Sequence, residues 1–154
     1  MQYISIVGNN EEFQKKLAEA LAEQGYKINR TFVISSDKST KFCRSVNEVK
    51  FYQLVDKGII ISYENIDKKT YGTAEPFGAN KFVSIDTDVG CENLRRKYGK
   101  QVKKVLINSA DVYQNNTYAD IIINDSMSIQ EALNKILNGG ESNENLQQVW
   151  EYSR

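Results

Sequence analysis

Gly8 stands where a strand gives way to a helix, the setting in this 154-residue chain that most suggests phosphate chemistry. Gln2 to Val7 reads as a buried strand and Glu11 to Gln24 as an amphipathic helix. A phosphate loop in that setting needs glycines so that backbone N–H groups can close on an anion. It also needs a lysine for charge and a Ser or Thr for a metal. Counting on from Gly8 through Asn9 and Asn10, the later glycine positions hold Glu11 and Phe13. Gln14 fills the lysine position and Lys15 the Ser/Thr position. Glu11 and Glu12 put two carboxylates at a helix start where an anion would otherwise sit. These residues argue against a catalytic triphosphate site.

A second set of polar residues falls where other strands are expected to end. Ser35 and Ser36, Asp86 and Asp88, and Asn108 are small or polar, as an open ligand crevice requires. The turn chemistry of strand ends accounts for Asp86 and Asp88 as well. The chain has no histidine, which removes His-based acid–base and triad chemistry. Cys43 and Cys91 lack metal-ligand spacing and read as reduced structural thiols of a cytoplasmic protein.

The elements that must position these residues follow from periodicity. Strands are expected near Gln2–Val7, Lys27–Ser35, Lys81–Ile85, Val102–Asn108 and Ala119–Ile123. Helices are expected at Glu11–Gln24, Asn47–Asp56, Glu92–Tyr98 and Ser128–Leu137, the last capped by Ser126 or Ser128. Strands alternating with helices predict an α/β fold, a parallel sheet covered on both faces. One domain spans 1–139. A tail over 140–154 follows Gly139-Gly140 and carries Leu146, Val149, Trp150 and Tyr152, expected as a short docking helix or, alternatively, a partner-binding segment.

Lys+Arg and Asp+Glu are 20 each, so nothing suggests a nucleic-acid or membrane-surface partner. The apolar runs are too short to cross a bilayer, and no signal-peptide pattern opens the chain. The basic stretch Arg95–Lys100, with Lys103 and Lys104, reads as a solvated helix end.

From Phe51 the chain resembles the guanylate kinases. Phe51-Tyr-Gln-Leu-Val-Asp-Lys-Gly58, an apolar strand, and then Thr70-Tyr71-Gly72-Thr73 match that family's monophosphate-binding region in order and spacing. Phe82-Val-Ser-Ile-Asp86-Thr-Asp88-Val-Gly90 is similar to its strand ending in D-I-D-x-Q-G, without the glutamine and with the glycine one residue early. Tyr118-Ala-Asp-Ile-Ile-Ile-Asn124-Asp125 and the following helix resemble its closing segment. The resemblance covers residues 1–139 and implies a P-loop-type fold. It implies that Tyr71 and Thr73 hydrogen-bond a GMP phosphate and base, and that Ser35 and Ser36 open the pocket. By the same resemblance Asp88 reads the guanine edge, and Asp86 lies near magnesium if that ion binds.

The chain departs from the family at four places. Besides the Gly8 loop, the arginine clamp for the GMP phosphate is replaced by Asp37-Lys-Ser-Thr-Lys-Phe42, leaving Lys38, Lys41 and Arg44 to supply charge. Ser62 replaces a guanine-reading glutamate, with Glu64 two residues on and on the same face of a strand. Between Ser109 and Tyr118 there is no arginine-rich lid. Phosphoryl transfer depends on such charges. The expectation is a guanylate-kinase-like chain without kinase activity, holding a purine nucleoside monophosphate in a regulatory or sequestering role. Two alternatives stand beside it. One is a protein-interaction module using the former GMP cleft; the other is an active nucleoside monophosphate kinase, with Lys15 or Lys16 replacing the loop lysine and magnesium on Asp86.

Overall fold

The computed structural model describes residues 1–109 and 118–138. In chain order its strands are β1 (Gln2–Gly8), β2 (Lys27–Ile28), β3 (Thr31–Ile34), β4 (Cys43–Val46), β5 (Ile60–Ile66), β6 (Lys69–Ala74), β7 (Lys81–Asp86), β8 (Val102–Asn108) and β9 (Ile121–Asn124). The helices are α1 (Glu11–Glu23), α2 (Glu48–Asp56), α3 (Asp88–Tyr98) and α4 over 129–138.

The main sheet has the order β2-β7-β1-β8-β9, and all of its pairings are parallel. Counting only its own strands along the chain, that order is 2-3-1-4-5. It reverses direction at β1 and opens a crevice at the carboxyl ends of β1 and its neighbours. Strand alternation gives the sheet two unlike faces. Ile4, Ile6, Val83, Val105, Ile107 and Ile123 meet Leu17, Ala18 and Leu21 of α1 and Ala132, Leu133 and Ile136 of α4. Full burial of each large aliphatic contributes roughly 1.5–3 kcal/mol, so this is where α1 and α4 gain their stability. The other face packs Tyr3, Phe82 and Val102 on Leu94 of α3, and it also buries Ser5, Ser84 and Lys104.

Side-chain caps start the helices. Asn10 accepts from Phe13 N, Asn47 from Lys50 N and Thr87 from Gly90 N. For α4 the cap is Ser128, whose Oγ accepts from Glu131 N while Glu131 Oε1 accepts from Ser128 N, a reciprocal capping box. The cap at Thr87 starts α3 at Asp88, four residues before the expected Glu92; Gly90 and β-branched Val89 weaken the helical pattern there.

The expected strand Lys27–Ser35 is in fact two strands in different sheets. β2 ends at Ile28, and Asn29 turns the chain away, its Nδ2 donating to Tyr3 Oη in the main sheet and to the carbonyl of Ala74 in β6, 2.9 Å each. Residues 31–74 then form an insertion between β2 and β7, a second sheet of order β4-β3-β6-β5 with α2 on one side. Its β5–β6 hairpin closes through Asp67 and Lys68, both at positive φ (49° and 68°), a two-residue turn without the glycine that usually signals one. Phe32, Ile60 and Ala74 pack under Phe51 and Leu54 of α2 to form a small core of its own.

The link expected over 109–118 falls mostly outside the described residues, and the tail expected over 140–154 wholly so. No helix among the described residues is long and apolar enough to cross a membrane.

Candidate functional site

A cleft of about 710 Å³ lies between the second sheet and the carboxyl ends of β1 and β7. Strand pairing sets its roof. Val33 faces Tyr71, Tyr71 faces Glu64, and Thr73 faces Ser62 across neighbouring strands. Directly opposed residues share a face, so Ser62, Glu64, Tyr71 and Thr73 project together. A bulge between Ile60 and Ser62 makes the switch that buries Ile60 under α2 while sending Ser62 and Glu64 the other way.

Gly72, between Tyr71 and Thr73, points to the α2 side. A Cβ there would lie 2.8 Å from Ile60 Cγ2 and 2.9 Å from Phe51 Cζ, so packing under α2 is sufficient reason for glycine. At Gly8 an added Cβ would lie 2.7 Å from the Ile107 carbonyl oxygen, and the close approach of β1 to β8 explains that glycine.

The wall opposite the second sheet comes from β1, α1 and β7. Gly8, Asn9, Glu11, Gln14, Lys15, Asp86, Thr87 and Gly90 line it. Only Asn9 and Asn10 separate β1 from α1, and Asn10 is fully engaged, accepting from Phe13 N and donating from Nδ2 to Asp125 Oδ2 at 2.9 Å. Lys15 pairs with Glu11 at 2.8 Å. At the rim, Lys69 lies 3.6 Å from Asp37, and Ser35 Oγ accepts from Asp37 N. Lys38 lines the same rim. Among the described residues, the Tyr71 hydroxyl and Thr73 Oγ1 have no hydrogen-bond partner, and Ser62 Oγ is buried without one.

Asp86 sits at the base of the cleft. Its Oδ2 accepts from Ser5 Oγ at 2.5 Å and Ser84 Oγ at 2.6 Å. Burial pushes this carboxyl up to about 6, against the pull of those two hydroxyls, and the negative charge of Glu64 adds to the rise. Glu64 in turn accepts from Thr87 Oγ1 at 3.2 Å. This donor set does not match magnesium, which takes six oxygens in near-octahedral array. One carboxylate whose proton affinity burial raises, with one oxygen already holding two hydroxyls, is a poor anchor, and the described residues hold no cluster of three acidic or thiol ligands.

Not every expected site residue lies on this cleft. Ser35, Lys38, Glu64, Tyr71, Gly72, Thr73 and Asp86 do, as do Gly8, Asn9, Gln14 and Lys15. Ser36, Ser62 and Asn10 lie outside its lining, and Lys41 turns away to pair with Glu19 at 2.7 Å. Asp88 is also off the lining; it opens α3 and pairs at 2.8 Å with Lys104. That ammonium is fully buried, which corrects the reading of Lys104 as part of a solvated helix end. Lys104 alternates with Val105 on β8 and therefore faces α3, where its charge needs a partner.

Sequence reasoning missed Ser5, Ser84, Tyr3 and Asn29. The signal was present as polar residues two apart, Tyr3/Ser5 in β1 and Ser84/Asp86 in β7, inside strands that otherwise read as apolar.

A parallel sheet of order 2-3-1-4-5, flanked by helices and carrying an inserted sheet over its switch point, defines a P-loop-type α/β fold. The particular likeness is to a solved guanylate kinase from Anaplasma phagocytophilum, at a TM-score of 0.67 and 13% sequence identity, covering 92% of this chain and 85% of that one. The fold is therefore guanylate-kinase-like. No family model matches the chain, and no curated protein matches it.

Proposed function

We propose that this chain binds a purine nucleoside monophosphate of the GMP type in the cleft, without transferring a phosphoryl group, in a regulatory or sequestering role. The observation that carries the reading is the row of Glu64, Tyr71 and Thr73 on one face of the second sheet, with two hydroxyls unpartnered among the described residues. Hydroxyls donate to phosphate oxygens, and a carboxylate accepts from a ring N–H and an exocyclic amine. Ser35, Lys38 and Lys69 at the rim supply further donors and charge. In this reading Glu64, which lines the cleft, reads the base in place of Asp88, which is off the lining and paired with Lys104.

The absence of transfer is supported by the other wall. Asn10 is committed to its cap and to Asp125, the first turn of α1 is acidic, and Lys15 is paired with Glu11. Among the described residues of that wall, the one cation on the cleft, Lys15, is shared with Glu11, which supports the absence of a group that neutralises a transferring phosphoryl.

Calorimetric titration with GMP and, separately, with ATP–magnesium tests the reading. GMP binds and ATP does not; Tyr71→Phe with Thr73→Ala weakens GMP by tenfold or more, while the melting temperature stays within a few degrees. Binding of ATP, or turnover to ADP with any acceptor, overturns the non-catalytic half. No binding of GMP overturns the pocket and leaves a peptide-binding use of the cleft as the replacement.

A further inference from the structure

The face of the main sheet under α3 carries a continuous chain of side-chain hydrogen bonds, and counting protons fixes its direction. Ser84 Oγ donates to Asp86 Oδ2 at 2.6 Å, so its single proton is committed. It also lies 2.6 Å from Tyr3 Oη, and Tyr3 must therefore be the donor in that pair. The Tyr3 oxygen then accepts from Asn29 Nδ2 at 2.9 Å, and the same amide nitrogen donates to the Ala74 carbonyl at 2.9 Å. From the Asn29 amide to Tyr3 to Ser84, the donors along the run point toward Asp86, and Tyr3 and Ser84 are almost wholly buried. Such a run polarises in one direction and holds its members in one arrangement.

The far end of this chain is where the two sheets join. Asn29 lies in the crossover from β2 to β3, and Ala74 opens the crossover from β6 to β7. One amide thus ties both crossovers to the main sheet. The near end is the cleft, where Asp86 is faced by Glu64 of β5, Ser5 and Tyr3 of β1 and Cys91 of α3.

We infer that Asn29 is a positioning residue for the cleft: through Tyr3 and Ser84 it ties the setting of the second sheet to the hydrogen bonding of Asp86. An occupant that engages Asp86 is then felt at the crossovers. That last step rests on the proposed use of the cleft; the coupling inside the protein does not.

Amide hydrogen exchange of the full chain tests it. Ser84→Ala removes a hydroxyl whose hydrogen bonds go to Tyr3 and Asp86 within the main sheet, yet it speeds exchange across β6 about fivefold, the equivalent of one net hydrogen bond. Tyr3→Phe, which keeps the ring stacked on Phe82, and Asn29→Ala do the same, with β8 unchanged. The Ser84→Ala/Asn29→Ala double variant is no faster than either single one, because both break the same chain. Native β6 exchange in Ser84→Ala and Tyr3→Phe, or summed effects in the double variant, overturns the inference. GMP, once bound, then slows exchange of the Asn29 amide, which donates to the Val83 carbonyl at the crossover and lies outside the strand GMP would touch, in the native chain and not in Tyr3→Phe; equal slowing in both also overturns it. If calorimetry shows no GMP binding, the binding proposal fails, and the ligand-free comparison still decides the coupling.

Discussion

Replacing Asp86 with asparagine separates the cost of burying this carboxyl from the value of its hydrogen bonds. The asparagine carbonyl can accept from Ser5 and Ser84 as Oδ2 does, so both bonds survive. What disappears is ionisation. Burial raises this carboxyl from 3.8 to about 6 in the folded chain. A raised value means that the folded state holds the proton more tightly than the unfolded one. The contribution to stability is complete below about 4 and is lost as pH climbs through about 6. Each tenfold gain in proton affinity on folding is equivalent to about 1.4 kcal/mol, so the loss comes to about 3 kcal/mol at neutral pH. Asp86→Asn should therefore match the native chain near pH 4 and exceed it by up to about 3 kcal/mol at pH 7.5. Urea unfolding of both chains at pH 4.5, 5.5, 6.5 and 7.5 measures this, and carboxylates common to both cancel in the difference. A difference that is flat across this range, or that grows toward low pH, refutes the account of Asp86 as a part-buried carboxyl penalised for its charge.

Three further outcomes follow from contacts described above. Gly72→Ala drives a methyl group into Phe51 and Ile60 and lowers stability by about 1–3 kcal/mol in chemical denaturation, without any ligand present. Asp88→Ala takes a partner from the buried Lys104 ammonium; with the carboxylate half-exposed, the loss is about 1–3 kcal/mol, less than for a fully buried pair, and GMP affinity measured in folded protein is unchanged. Asn10→Ala removes the cap of α1 and its bond to Asp125, costing about 1–2 kcal/mol by thermal unfolding, and it creates no affinity for ATP.

The main sheet was legible because its strands are short apolar runs of one period. Val102–Asn108 matches the expected bounds, and Gln2–Val7 and Lys81–Ile85 each fall one residue short. The second sheet was only partly legible. β4 is four residues with an arginine and a serine among them, and β6 has glycine at its centre, so neither carries a strand signal on its own. The split at Asn29 is a tertiary effect, since the bonds that turn the chain go to Tyr3 and Ala74, distant in sequence. At the cleft, Tyr71 and Thr73 could be placed by motif spacing and Glu64 by strand parity. The Lys104–Asp88 pair could not, because nothing in a basic stretch distinguishes the lysine that lies under a helix.

The insertion of residues 31–74 also bears on how the chain can fold. Pairing β1 with β7 closes a loop running from Gly8 to Lys81, and pairing β1 with β8 closes a longer one. Both are distant contacts of the kind that slow folding. Within that loop, the β5–β6 hairpin is local, and Phe32 lies opposite Gly72, so the insertion brings its own ends together. If it forms first, the span left to close between β1 and β7 is less than half as long, which lowers the entropic cost by about 1 kcal/mol, several-fold in rate. In that order of events the element that roofs the cleft in the finished protein serves first as a splint, shortening the search by which the parallel strands find one another.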